Sequence, residues 1–287
     1  MPSTLTLPLP HAFDLTAAVC SYGFYVLAPN NWDAATCTLR CPLRGDGDRI
    51  VTVTVRTHGD CLRVRCDTTL AAAERPMIRG QVARMLRLDE DFTGWFTRHR
   101  QARRRRFARL FRSPTLFEDI VKTFTCCNVT WKNTLTMNRL LCEHHGGGAF
   151  PTPPELAKVS EATLKRTCKV GYRAGRIVKL ARDFADGRLH DGMFEDPSLT
   201  TGELFDRLRR VHGVGPYAAG NLCQLLGRYD RLAIDSETYR HFCQVERIDR
   251  PKNPATLHDR IEARYAPYEP YQFLAYWYEL WHDCRIE

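Results

Sequence analysis

Several features are missing from this 287-residue chain, and each absence closes off a class of protein. No apolar run approaches the ~20 residues that a helix needs to cross a bilayer, so no membrane span is expected. The opening MPSTLTLPLPHAF lacks the basic stretch and apolar core of an export signal, so none is expected. Paired Cys-x-x-Cys spacing is absent among the twelve cysteines. Cys37 and Cys41, Cys61 and Cys66, and the neighbours Cys126 and Cys127 do not make a zinc set, so no metal site is expected. Free, buried thiols in a reducing compartment are expected in place of a disulfide framework. No tandem repeat or long low-complexity tract marks a solenoid or a disordered chain.

Positive charge is what the chain has in surplus. Lys and Arg exceed Asp and Glu by nine, which favours a polyanionic partner and says nothing of the fold. The surplus is clustered. Arg98, Arg100, Arg103, Arg104, Arg105, Arg106, Arg109 and Arg112 fall within fifteen positions. Such a run is often only a solvated helix face or linker; beside the anion-binding hairpin at residues 213–215, salt-sensitive contact with a phosphate backbone is the better reading.

The length accommodates two domains or one large one, each with its own core. Residues 1–90 read as short strands and turns. Ile50–Val55 and Cys61–Cys66 alternate with the period of half-buried strands, and Gly59-Asp60 between them signals a hairpin. Asn30–Asp33 reads as a turn and Cys37–Pro42 as a further strand. Residues 72–87 have helical spacing, with Ile78, Val82 and Met85 on one face. Residues 91–114 form the basic stretch, expected as a helical linker. From 115 to 287 the pattern is helical, with segments near 115–127, 131–145, 160–169, 172–186, 201–211, 216–227, 236–245, 254–265 and 270–283. The expected class is α+β: an antiparallel sheet domain with flanking helices, followed by an all-α domain.

The densest signal is LRRVHGVGPYAAGNLCQLLGRYDRLAIDSETYR, residues 208–240. Gly213, Val214 and Gly215 separate two helical segments, and Pro216 suits the first position of the second. The glycines free the backbone for turn conformations and leave amides uncovered at a helix N-terminus, where the dipole favours an anion. Asp235 follows Tyr217 by eighteen positions. It also suits the N-cap of a helix starting at Ser236, and the two roles coexist.

This hairpin, spacing and aspartate resemble the helix-hairpin-helix DNA glycosylase superfamily. Further strings are similar to its 8-oxoguanine and 3-methyladenine branch: Phe13–Leu15, Pro29–Asp33, Met85–Phe92, Phe117–Trp131, Phe150–Ala157 and Val170–Ala181, in family order over nearly the whole chain. The resemblance implies DNA-phosphate contacts from Gly213, Val214, Gly215 and Tyr217, with Asp235 catalytic. It implies that Asn128, Tyr172 and Arg173 hold the duplex open and contact the orphaned base. Only Cys243 and Cys284 follow Asp235, so no iron–sulfur cluster is expected. No cofactor is implied, though a structural monovalent cation at the hairpin is compatible with the resemblance.

The departures carry mechanism. Members that also cut the backbone place at position 217 a lysine that forms a Schiff base with the sugar. Tyr217 cannot, so a monofunctional enzyme using water is expected, with Asp235 stabilising the cationic sugar. Lys169 and Lys179 do not occupy the matching position. Asn221 stands where the 8-oxoguanine enzymes have a cysteine, and Asn133 aligns with an arginine that reads the opposite base. Ser21-Tyr22-Gly23 gives no secure match to the glycine that senses oxidised guanine. In the C-terminal segment Tyr271, Tyr276, Trp277, Tyr278 and Trp281 fall within eleven positions. Most should be core, and by analogy Tyr276 would stack on the extruded base, joining Tyr217 and Asn221 in a lesion pocket suited to a cationic purine.

The expected function is therefore monofunctional base-excision repair of a damaged or mismatched base, with a modified purine as the lesion. A catalytically silent DNA-binding protein and a bifunctional 8-oxoguanine glycosylase/lyase with a displaced lysine are the alternatives. The expected partner is double-stranded DNA bearing a lesion or mismatch, met by a monomer in the bacterial cytoplasm or the eukaryotic nucleus.

Overall fold

The computed structural model describes residues 2–283. It is α+β, and the chain divides into two compact units. One comprises the chain up to Asp91 together with Arg106–Met193, and the other Phe92–Arg105 with the chain from Phe194 onward. This division differs from the sequence-based one at 90 and 115, because residues 115–193 group with the sheet.

In the first unit, strands β1 (Thr4–Pro8), β2 (Asn31–Asp33), β3 (Thr38–Arg44), β4 (Ile50–His58) and β5 (Cys61–Cys66) form one antiparallel sheet in the order β1-β5-β4-β3-β2. The alternation works as read. Val51, Val53 and Val55 of β4 and Leu62, Val64 and Cys66 of β5 are buried, and register pairs Val53 with Cys66 and Val55 with Val64 on one face. Gly59, at φ 56°, supplies the backbone freedom that the two-residue hairpin needs. The Glu74–Leu86 helix covers β1 and β3 with Ile78, Val82 and Met85 buried at helical spacing.

Two local expectations are corrected. Asn31–Asp33 is strand, and the turn follows it: Asp33 Oδ1 accepts from the amides of Ala35 (3.0 Å) and Thr36 (3.3 Å), moving the reversal downstream. β1 was not anticipated, since its Leu5 and Leu7 sit in a five-residue run hemmed by prolines, as suits an edge strand.

The Leu116–Cys126 helix is buried almost all round. Two of its buried polar residues face each other, and Asp119 meets Arg84 Nη1 at 2.8 Å. Lys122 Nζ lies 2.6 Å from Glu118 Oε1, and 5.9 and 5.6 Å from the centres of the Phe24 and Phe150 rings. Burial pushes the Glu118 carboxyl above its ordinary range, against the pull of Lys122.

The basic stretch splits. Helices span Thr93–Arg98 and Arg100–Arg105, where Arg98, Arg100, Arg103, Arg104 and Arg105 are exposed, as is Arg106 just beyond. Beyond Arg106 the chain is not helical and turns inward, with Phe107, Leu110 and Phe111 fully buried. Arg109 and Arg112 are buried there too. Arg109 Nη1 donates to the carbonyls of Arg87 and Glu90, and Arg112 Nε to that of Arg84. Burial first, then the neighbouring Arg87 and Arg84, push the Arg112 guanidinium down to about 10. These two arginines staple the interior; neither belongs to a solvated face.

In the second unit the long helices are Thr201–Arg210, Pro216–Leu225, Ser236–Glu246, His258–Tyr265 and Gln272–Asp283. Trp95 is fully buried, 5.9 Å from Tyr271 and 6.3 Å from Tyr268. Glu279 ties three helices together by accepting from Tyr265 Oη (2.8 Å), Arg264 Nη2 (3.0 Å) and His241 Nε2 (3.1 Å). None of the eleven described cysteines is in a disulfide, and burial pushes the thiols of Cys41, Cys126, Cys142 and Cys223 up to about 12. Cys284 lies outside the described residues. Among the described residues no helix is long and apolar enough to cross a membrane.

Candidate active site

The second unit carries the hairpin. Thr201–Arg210 starts with a capping box between Thr200 and Glu203 and ends at Val211. The chain then reverses through Gly213 at φ 88°, a conformation natural to glycine alone. Val214 is buried, and its carbonyl accepts from Arg209 Nη1 at 2.9 Å. Gly215 has an ordinary φ of −81° and is the N-cap of Pro216–Leu225. The sequence reading that both glycines serve the turn is thus half right. A Cβ at position 215 would meet nothing closer than 3.9 Å, so its missing side chain is not needed for packing. It leaves the first-turn amides bare to an incoming anion.

Tyr217 is 37% exposed, and lines a groove of about 560 Å³ with Phe205, Arg231 and His258. Asp235 lies outside that lining. Asn221 Nδ2 turns back onto the Tyr217 carbonyl at 3.1 Å. Gly220 lets the second hairpin helix approach the strand-like segment before Asp235: a Cβ there would stand 2.9 Å from the Cβ of Ala233.

Asp235 is half-buried and caps Ser236–Glu246 with extended backbone (φ −138°, ψ −170°). Its Oδ1 accepts from the amides of Glu237 (3.0 Å) and Thr238 (2.9 Å) and from Thr238 Oγ1 (3.1 Å). Its own amide donates to Thr238 Oγ1 at 3.2 Å. Among the described residues nothing bonds Oδ2, and that oxygen is not buried. The cap role and a chemical role therefore use different oxygens of one carboxylate. One oxygen is fixed by three donors at the positive end of a helix, and the other is open to stabilise a cation or take a proton.

Behind the aspartate stands Tyr276, whose Oη lies 3.1 Å from Thr238 Oγ1. A threonine hydroxyl has one proton and two lone pairs. The carboxylate can only accept, so Thr238 gives its proton to Asp235, and Tyr276 gives its own to Thr238. Burial, chiefly, pushes the Tyr276 phenol far above its ordinary range and keeps it a neutral donor. Its ring is 3% exposed and meets His241, Tyr265, Phe273 and Trp277 edge-on. Tyr276 is thus core beneath the aspartate, and a base-stacking face is not on offer. Thr238 escaped the sequence reading, although Asp-x-x-Thr at a helix start is a capping-box signal.

In the first unit, Asn128 is exposed at φ 50°, just past the end of Leu116–Cys126. Tyr172 is 54% exposed at the start of Arg173–Ala185, after Gly171 at φ 57°. Two guanidinium groups lie against its ring, Arg173 at 4.6 Å and Arg176 at 5.0 Å from the centroid. Arg176 was not singled out from sequence, because nothing local distinguishes it from a surface arginine. Arg173 is only 6% exposed, and its donors are taken by main-chain carbonyls: Phe124 (2.9 Å), Asn128 (3.3 Å), Val170 (3.5 Å) and Cys127. The expected direct contact with an orphaned base gives way to another role: Arg173 caps the C-terminus of the Leu116–Cys126 helix and shapes the Asn128 turn. Lys179 is held by both oxygens of Asp183 at 2.7 and 2.6 Å.

No protein-family model matches the sequence, and no curated protein does. Solved structures match along the full length. The 3-methyladenine DNA glycosylase of Archaeoglobus fulgidus superposes with a TM-score of 0.72 at 16% identity, over 96% of this chain and 98% of its own. An apo 8-oxoguanine glycosylase/lyase of Clostridium acetobutylicum gives 0.71 at 14% identity, over 98% and 97%. MBOgg1 in complex with a low-affinity DNA ligand gives 0.71 at 18% identity, over 99% and 96%. The chain has the fold of these DNA glycosylases.

Proposed function

We propose that this chain is a monofunctional DNA glycosylase that removes a damaged purine from duplex DNA. The observation that carries the reading is the Asp235 carboxylate, fixed through Oδ1 and open at Oδ2, at a helix start beyond a phosphate-ready hairpin. Both named lesions of the structural neighbours, 8-oxoguanine and 3-methyladenine, are purines.

The hairpin amides grip a phosphate, and the exposed Tyr172 and Asn128 enter the space left by the flipped nucleotide. The bond from the base to the sugar C1′ breaks, and the base leaves with the electron pair. Asp235 opposes the positive charge that develops on the sugar. A water oxygen bonds to C1′, and its proton passes to Oδ2. Nothing but water is consumed, so the reaction asks for no cofactor. Tyr217 supplies no amine for a Schiff base, and Lys252 is the only lysine of the second unit.

Borohydride present during turnover should trap no covalent protein–DNA product; a trapped adduct would establish a lyase. Asp235→Asn should lose excision while keeping its affinity for lesion duplex, and undiminished excision would remove the aspartate from the mechanism.

A further inference from the structure

The outer face of the sheet concentrates positive charge. Arg40, Arg56, Arg63 and Arg65 are exposed on it, with Thr52 and Thr54 between them, around a groove of about 660 Å³. Register makes the pattern explicit. Arg40 pairs with Thr54 and Thr54 with Arg65, so one row runs Arg–Thr–Arg across three strands. In the next row Arg56 and Arg63 are direct partners. Arg63 and Arg65 stand about 7 Å apart along β5, and Arg40 and Arg65 about 10 Å apart across the sheet. Like charges directly opposed on a sheet destabilise it, and among the described residues only Asp33, which attracts Arg56, and Asp67 at the groove oppose them. Among the described residues the side chains of Arg40, Arg63 and Arg65 make no hydrogen bond or ion pair, and the guanidinium of Arg56 bonds only Thr38 Oγ1 at 2.6 Å. The single carboxylate in the groove, Asp67, accepts from the Thr52 amide at 3.0 Å.

We infer that this face is a second docking surface for the phosphodiester backbone of duplex DNA, separate from the hairpin. Planar guanidinium forks bind phosphate oxygens bidentately, and threonine hydroxyls are customary supplementary donors. The groove contains no aromatic or large aliphatic side chain, whereas a protein partner would need an apolar anchor at its centre. The choice of DNA among polyanions rests on the proposed function; the phosphate chemistry does not.

The test is the salt dependence of binding to an undamaged duplex, for the intact chain and for Arg40→Gln/Arg63→Gln/Arg65→Gln. Removing three phosphate contacts flattens the slope of log K against log salt by about 2.7, so between 50 and 200 mM salt wild type should lose roughly 40-fold more affinity than the variant. The variant should melt no lower than wild type, since it relieves repulsion. It should also excise at an unchanged rate once DNA is saturating. An unchanged slope overturns the proposal. So does a DNA slope that stays put while poly-glutamate binding collapses, which would assign the face to an acidic polypeptide. Collapse of excision at saturating DNA would make the face part of the catalytic path. A chain that binds DNA with the altered slope but excises nothing would leave this surface standing and sink the enzymatic reading alone.

Discussion

Replacing Thr238 with valine removes one oxygen and almost no volume, and it isolates how the carboxylate is held. Valine deletes the acceptor of the Asp235 amide, the third donor to Oδ1 and, among the described residues, the sole hydrogen-bond partner of the Tyr276 phenol. Loss of half of a capping box costs about 1 kcal/mol. Orphaning a buried hydroxyl costs a further ~1–3 kcal/mol. The expected loss is therefore about 2–4 kcal/mol, or roughly 3–7 °C in Tm for a chain of this size. The backbone amides of Glu237 and Thr238 still hold Oδ1, so the carboxylate loosens without leaving. Displacement of a catalytic group by 1 Å can cost about 100-fold, and the partial loosening here should slow single-turnover excision about tenfold. Thr238→Ser keeps the hydroxyl and should restore most of the rate. Tyr276→Phe should destabilise wild type, yet be neutral or favourable on the valine background, where the phenol is already orphaned. A valine variant as stable and as fast as wild type would refute the relay. So would a serine variant as impaired as valine.

Other perturbations test neighbouring parts. Gly220→Ala improves helix propensity but forces Ala233 away from a 2.9 Å contact; excision should fall while DNA affinity at the hairpin holds, as seen by single-turnover kinetics and equilibrium titration. Lys122→Met strands Glu118 in the core and should cost about 3–5 kcal/mol, whereas Glu118→Leu/Lys122→Met should recover most of it; denaturant melts separate the two. Glu279 is pulled upward by burial but more strongly downward by the bonds from His241, Tyr265 and Arg264, so its folded pKa lies below the ordinary 4.5. The stability it contributes is complete above pH 4.5 and disappears as pH falls through the folded value, and Glu279→Gln should flatten that part of the Tm profile.

What could be read from the chain was what is encoded locally. Strand alternation in Ile50–Val55 and Cys61–Cys66, most helices after residue 115, and the cap at Asp235 depend on near neighbours in sequence and stand in the structure. The short Pro153–Ala157 helix stands where the sequence reads as a break, and the segment expected as one helix from 254 opens with a 3-10 turn before His258–Tyr265. Burial of polar side chains depends on distant ones. Arg109, Arg112 and Arg173 looked like surface cations; each is internal because carbonyls far away in sequence collect its donors. Tyr276 belongs to an aromatic stripe whose exposed and buried members cannot be told apart by spacing alone, and the neighbours that enclose its ring include His241 and Tyr265 on other helices. Thr238 carried a legible signal, but its consequence depends on a phenol thirty-eight residues away.

The most direct test of the account is single-turnover excision by the intact protein on duplexes carrying 8-oxoguanine, a 3-methyladenine analogue, hypoxanthine, uracil or a G·T mismatch, each reaction split with and without hot alkali. The account predicts release from one of the three purine lesions, with strand breaks appearing only after alkali. Breaks without alkali would contradict the reading of Tyr217, and tight binding with no release from any duplex would contradict the assignment of Asp235 as a catalytic group.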